Sequence, residues 1–223
     1  MHIPDGYLSP QTGGLFYLLM LPVWAAAAKI VKKTLAARQV PYLAFGAAFV
    51  FVIMMFNVPM PGGTTGHAVG GTLVAILVGP WAATIAITVA LAVQAFLFGD
   101  GGITALGANS FNMAFVLPFV GFYSYKLISF KSAKDSVRRA LAGAIGAFLG
   151  ITAAALLAGI EFGIQPLLYR SDNGRPLYCP YGLEIAIPAM LFEHLILFSW
   201  VEAVATFLVI RYLQREDPSL IQG

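Results

Sequence analysis

A 223-residue chain that is 59% hydrophobic and only 10% charged is too apolar for a water-soluble domain, in which about a quarter of residues carry charge. Its mean hydropathy of +0.83 and several apolar runs near or above the roughly 20 residues needed to cross a bilayer indicate an all-α, polytopic membrane protein. The runs are continuous, which excludes the alternating strands of a membrane barrel, and the net charge of +3 does not point to nucleic acid, because the topology gathers 11 of the 13 Lys and Arg on one membrane face.

In chain order, a first apolar span covers about 15–30 and is closed by Lys29, Lys32, Lys33 and Arg38. The second runs over about 41–56, followed by a turn-rich loop at 57–67 that ends in His67. The apolar run 68–98 is interrupted at Gly79-Pro80, giving spans at about 68–79 and 81–98. A Gly-rich loop from 99 leads into a span at about 109–128, and Lys131, Lys134, Arg138 and Arg139 form a basic loop. The next span is about 140–160; a polar stretch, 161–184, precedes the last, about 185–210, which Arg211 and Arg215 follow. The whole chain, 1–223, reads as one transmembrane domain with a short N-terminal segment, 1–14.

Charge decides how the run 68–98 folds. With a turn at Pro80 there are seven spans, the N-terminus lies outside and the C-terminus inside, and all three basic clusters share the inner face. A single bent helix would put the loop 131–139 on the opposite side from Lys29. The third span is then short, and the loop before it dips inward, which is tolerated where protein covers the backbone. Segment 1–6, the His67 loop, the Asp100 loop and 161–184 all fall on the external face.

Residues 1–6, Met1-His2-Ile3-Pro4-Asp5-Gly6, carry the candidate chemistry. A metal bound by the Met1 amine and the His2 amide nitrogen closes a five-membered ring, and His2 Nδ1 closes a six-membered one. Three nitrogens near one plane suit Ni(II) or Cu(II). Pro4, without an N–H and with fixed φ, turns the chain away beyond the chelate. Met1 is expected to be the mature N-terminus: a bulky second residue protects the initiator, and 1–14 lacks the basic and apolar regions of a secretory signal. His67, after a flexible loop on the same face, is the natural fourth nitrogen, although a lone His at a helix start also reads as a cap.

Other polar residues compete between packing and site roles. His194 lies about nine residues into the last span, beside Glu193, and intramembrane ionisable groups are functional by default; it reads as support for the ligands, as a packing hydrogen bond or as a transient ligand, the first two being favoured. Asp5 and Asp100, each before a Gly, read as turn residues, with Asp5 also placed to support the site. Asn109 and Asn112, at i and i+3, could orient the imidazoles. Glu202 reads as packing or a partner contact. Gly146, Gly150, Ala154 and Ala158, four apart, form a close-packing stripe whose neighbour could lie in this chain or another. Cys179 is the only cysteine, so no internal disulfide forms.

Four motifs, MHIPDG (1–6), PGGTTGH with AVGG after it (61–71), FGDGGITALGANSFNMA (98–114) and HLILFSWVEAVAT (194–206), resemble the CbiM/NikM family. These are substrate-binding membrane subunits of energy-coupling factor transporters for nickel and cobalt in prokaryotic cell membranes. The resemblance implies a metal site of Met1, His2 and His67. It also implies partners: a transmembrane coupling subunit, a pair of cytoplasmic ATPases and a small accessory membrane protein. The chain has no nucleotide-binding Gly-x-x-x-x-Gly-Lys pattern of its own. Nickel or cobalt is then transported substrate, with no cofactor and no enzymatic step. Two other classes compare less well: a self-sufficient metal channel or permease, and an intramembrane hydrolase using His67 or His194 with Glu193, which lacks a His-Glu-x-x-His pairing.

Overall fold

The computed structural model describes residues 1–34, 40–60 and 64–221; Arg38 and the Pro61-Gly62-Gly63 part of the His67 loop lie outside them. Among the described residues seven apolar helical segments follow in order: α1 Pro10–Thr34, α2 Val40–Met54, α3 Gly71–Val78, α4 Pro80–Phe98, α5 Leu106–Ile128, α6 Val137–Leu168 and α7 Leu183–Glu216. All but α2 and α3 are long and apolar enough to cross a membrane. With 15 and 8 residues, α2 and α3 extend about 22 and 12 Å at about 1.5 Å per residue, against a hydrocarbon core of about 30 Å.

Two features differ from the purely helical expectation. A short antiparallel ribbon, β1 Val58–Met60 with β2 Thr64–Gly66, leads down to His67. The first part of the stretch expected to be an external loop, 161–168, continues α6, because its apolar residues keep helical spacing through Glu161 and Gln165.

The break at Gly79-Pro80 is a reversal. Pro80 opens α4 at a position where its missing N–H leaves no bond unmade, and Gly79 donates back to the Ala75 carbonyl at 2.9 Å. The two helices then lie side by side: a Cβ placed on Gly71 would stand 3.0 Å from Ile87 Cδ1, each residue eight positions from the turn. Around α3 the irregular backbone of 67–70 is buried, as non-helical chain at membrane depth requires.

α6 is the hub. Lipid gives helices little hydrophobic reason to associate, so van der Waals contact and backbone approach must hold them. A Cβ on Gly146 would collide with the Gly121 carbonyl, and one on Gly150 would reach the Leu117 carbonyl oxygen at 2.6 Å. The small-residue stripe therefore packs on α5 within this chain. Farther along, Gly159 and Gly163 lie against the backbone of α7 at Ile187 and Leu183. Outward residues of α1 such as Leu15, Leu18 and Leu19 stay exposed, as a lipid-facing surface would.

Gly146→Ala is expected to destabilise by about 1–3 kcal/mol, the usual cost of overpacking, and to lower the thermal midpoint in detergent. Gly14→Ala, with nothing within 4 Å of its Cβ position, leaves the midpoint unchanged or raises it.

Candidate metal centre

The N-terminal segment is drawn into the fold by its own backbone. Ile3, fully buried, donates its N–H to Asn109 Oδ1 at 2.8 Å and accepts from Asn109 Nδ2 at 3.0 Å. Its carbonyl also accepts from Gly102 N–H at 2.8 Å. Such closeness demands glycine: a Cβ on Gly102 would stand 2.5 Å from the Asp5 nitrogen. The Asp5 carboxylate accepts from Ile103 N–H, Thr104 N–H and the Thr104 hydroxyl, and that hydroxyl above all holds its pKa below the ordinary value. Farther on, Cys179 N–H donates to the Tyr7 carbonyl at 3.1 Å and Ser9 N–H to Gln165 Oε1 at 3.0 Å. The result is a buried chain end, whose Met1 amine donates to the Thr65 carbonyl on β2.

His67 arrives from the other direction. Its ring is fully buried, Nδ1 lies 3.1 Å from the Ala68 carbonyl and Nε2 has no hydrogen-bond partner among the described residues. With Nδ1–H donated to that carbonyl, Nε2 carries the lone pair. The loop after it is fixed from α7: Glu202 Oε2 accepts from Val69 N–H at 2.8 Å and Gly70 N–H at 2.9 Å. No side chain of α3 caps its own start, so a carboxylate 132 residues downstream along the chain does so and favours the positive end of the helix dipole.

The two arms meet. The His2 and His67 rings stack with centroids 4.5 Å apart and planes 26° from parallel. The His2 ring is 3% exposed, and its Nδ1 stands 3.4 Å from Asp100 Oδ1. Gln94, fully buried, stands beside that ring without a well-formed hydrogen bond at either amide atom. Burial lowers the Met1 amine pKa to about 6, with the Glu193 and Asp100 carboxylates opposing. It lowers His2 to about 3, helped by the nearby amine, and pushes His67 well below the ordinary imidazole value, with repulsion from His2 adding to it. Asp100 is raised by burial, against the amine. At neutral pH three neutral nitrogen donors therefore stand together in a buried site. Among the described residues no three His, Cys, Asp or Glu side chains converge as a metal cluster; here two imidazoles meet main-chain nitrogen instead.

The remaining predicted residues take distinct places. Asn109 hydrogen-bonds the Ile3 backbone and Asp5 the Ile103 and Thr104 backbone, so both tie the N-terminal segment to its neighbours. His194, fully buried, bonds the Met190 carbonyl through Nδ1 at 2.8 Å and lies 3.4 Å from Glu193; its Nε2 has no hydrogen-bond partner among the described residues. Asn112 reaches Glu161 at 2.9 Å on α6, away from the imidazoles. Sequence reasoning missed Gln94, the capping role of Glu202 and the Gln165 clamp on Ser9. The available signal was the same for all three: a lone polar residue in an apolar run needs a partner. Gln94, Asn112 and His194 each sit in a π-helical turn, a local widening common at functional sites.

The chain matches the model of a family described as CbiM, cobalt uptake substrate-specific transmembrane region, over residues 2–220. It is 53% identical over 221 residues to the probable fused nickel transport protein LarMN of Lactiplantibacillus plantarum, covering 98% of this chain and 66% of that one. Against the fused nickel transport protein NikMN of Rhodobacter capsulatus the identity is 48%, over 99% of this chain and 64% of the relative. The chain thus spans about two thirds of the length of these fused relatives. The crystal structure of a truncated transition metal transporter superposes with a TM-score of 0.92 at 57% identity, covering 97% of this chain and 99% of that one.

The displaced proton equilibria make stability depend on pH. An unfolded amine keeps its proton up to about pH 8, whereas the folded one releases it near 6. The unfolded chain binds more protons across that window, so stability rises with pH through it and is lost as pH falls. His2 continues the trend downward from about 6.5 towards about 3. Because the raised Asp100 carboxylate works in the opposite sense, the imidazole's contribution is read as a difference: the thermal midpoint of metal-free native protein relative to that of His2→Ala is expected to fall as pH drops from about 6.5 towards 5, and a difference constant over that range contradicts the buried, neutral imidazole.

Proposed function

We propose, given that this chain belongs to the CbiM family of cobalt-uptake substrate-specific transmembrane proteins, that it captures Ni(II) or Co(II) from the external face through the Met1 amine, the His2 amide and imidazole and the His67 imidazole. The chain is a membrane component of nickel/cobalt transport. The observation that carries the ligand assignment is the meeting of residues 1–2 with His67 as stacked, buried, neutral groups. A square of four nitrogens, one a deprotonated amide, favours Ni(II) within the pair.

The rest of the reading follows from chain composition and family. Seven segments with the N-terminus outside, the third crossing completed by the buried chain that precedes α3, put the metal centre externally and 11 of 13 basic residues inside. Lacking a nucleotide site, the subunit releases metal inward when a transmembrane coupling subunit and a cytoplasmic ATPase pair reorient it. A small accessory membrane protein completes the importer, in keeping with the fused names of its relatives. Among the described residues no Ser, Thr or Cys is hydrogen-bonded to the His67 or His194 ring, which favours binding over hydrolysis.

The test is Ni(II) and Co(II) titration of the native protein beside a copy extended by two residues at the N-terminus. Extension displaces the amine and leaves both imidazoles in the chain. Affinity is expected to fall at least 100-fold, and native affinity to fall steeply as pH drops, because the amide must lose a proton. Unchanged binding by the extended copy would move the metal to a site between His67 and His194. Metal flux in vesicles holding this chain alone would mark it instead as a self-sufficient permease.

A further inference from the structure

Met1 and His2 form one end of a cavity of about 410 Å³. Its walls come from the Asp100 loop, the Cys179 loop and the first turns of α7. At its rim Tyr7, Tyr181 and Ile185 are exposed, so the cavity leads from the surface to the buried donors. Among the described residues that line it there is no Lys or Arg, and Asp100 is the one carboxylate. That carboxylate stands where cavity and chelate meet, 3.4 Å from His2 Nδ1.

Resting on the capture reading above, we propose that this cavity is the antechamber through which the hydrated cation reaches the chelate, received by Asp100 before it exchanges water for nitrogen. The volume fits the task. A water molecule claims about 30 Å³ in the liquid, so an ion with six waters needs roughly 200 Å³, about half of the space present. The stacked rings leave no such room, so the shell must be shed at the inner end. A single carboxylate within walls of low dielectric concentrates cations locally and repels anions. Because Asp100 Oδ1 lies 3.4 Å from His2 Nδ1, a cation held by the carboxylate stands within reach of the nitrogen that the chelate requires.

Cys179 supplies a direct probe. It is the only cysteine in the chain, it lines the cavity and it is otherwise buried, so a water-borne reagent that modifies it must enter by that opening. The native protein in nanodiscs is treated with the trimethylammonium-ethyl or the sulfonato-ethyl methanethiosulfonate, which leave adducts of similar size and opposite charge. Ni(II) association is then followed by stopped-flow, with Cys179→Ser treated identically as the control for off-site modification. The cationic adduct is expected to slow association at least tenfold relative to the anionic one. Ala189→Phe, which narrows the same cavity from α7, slows it without chemical labelling. Equal rates for both adducts and untreated protein overturn the antechamber while leaving capture intact, and a thiol that does not react shows the cavity closed to water and overturns it too. Untreated protein that binds no Ni(II) removes the capture reading itself.

Discussion

The proposed metal centre depends on one clamp, the Asn109 amide on both sides of Ile3. A chain end normally stays in water because its charged amine is costly to bury. Two side-chain hydrogen bonds and one from Gly102 satisfy the Ile3 peptide at depth and carry Met1 and His2 inward with it. Once there, the amine loses the solvation that stabilises its charge and releases its proton near pH 6. Burial thus converts an ordinary ammonium group into a free nitrogen lone pair. The clamp also explains the composition of the Asp100 loop, since backbone lies where side chains would normally project.

The second arm reaches the same place under different constraints. α3 is too short to cross the membrane, and its start lies inside the protein, where an uncapped helix would leave buried N–H groups unmet. Glu202 meets them from α7, which ties the position of His67 to the last helix. α7 in turn lies along α6, whose glycines admit it and α5 at backbone distance. Any rotation of α7 against α6 therefore acts on His67 and, through Met190 and Ile185, on the cavity wall. A reorienting partner would find its lever there.

Much of this was legible in the sequence, and the gaps have physical causes. Hydropathy located the apolar segments because lipid imposes length and polarity directly. The charge clusters at Lys29–Lys33, at 131–139 and after 210 pointed to a reversal at Gly79-Pro80, and the chain does fold back there. Chelate-ring chemistry singled out Met1 and His2, and an expected shared face added His67; the structure stacks the His2 and His67 rings. The partners of Asn109, Glu202 and Gln165 were not legible. Each side chain bonds a backbone group more than 100 residues away in sequence, and neither periodicity nor spacing encodes such a contact. The end of α6 was misplaced for a related reason: Glu161 and Gln165 look like loop residues until Asn112 and Ser9 satisfy them.

The central claim is that main-chain nitrogen of residues 1 and 2 joins two imidazoles around the metal. Nickel K-edge X-ray absorption on the loaded native protein tests it most directly. The account predicts a four-coordinate planar centre whose first shell is nitrogen throughout, with scattering from two imidazole rings beyond it. A six-coordinate shell rich in oxygen, or one containing sulfur, would contradict it.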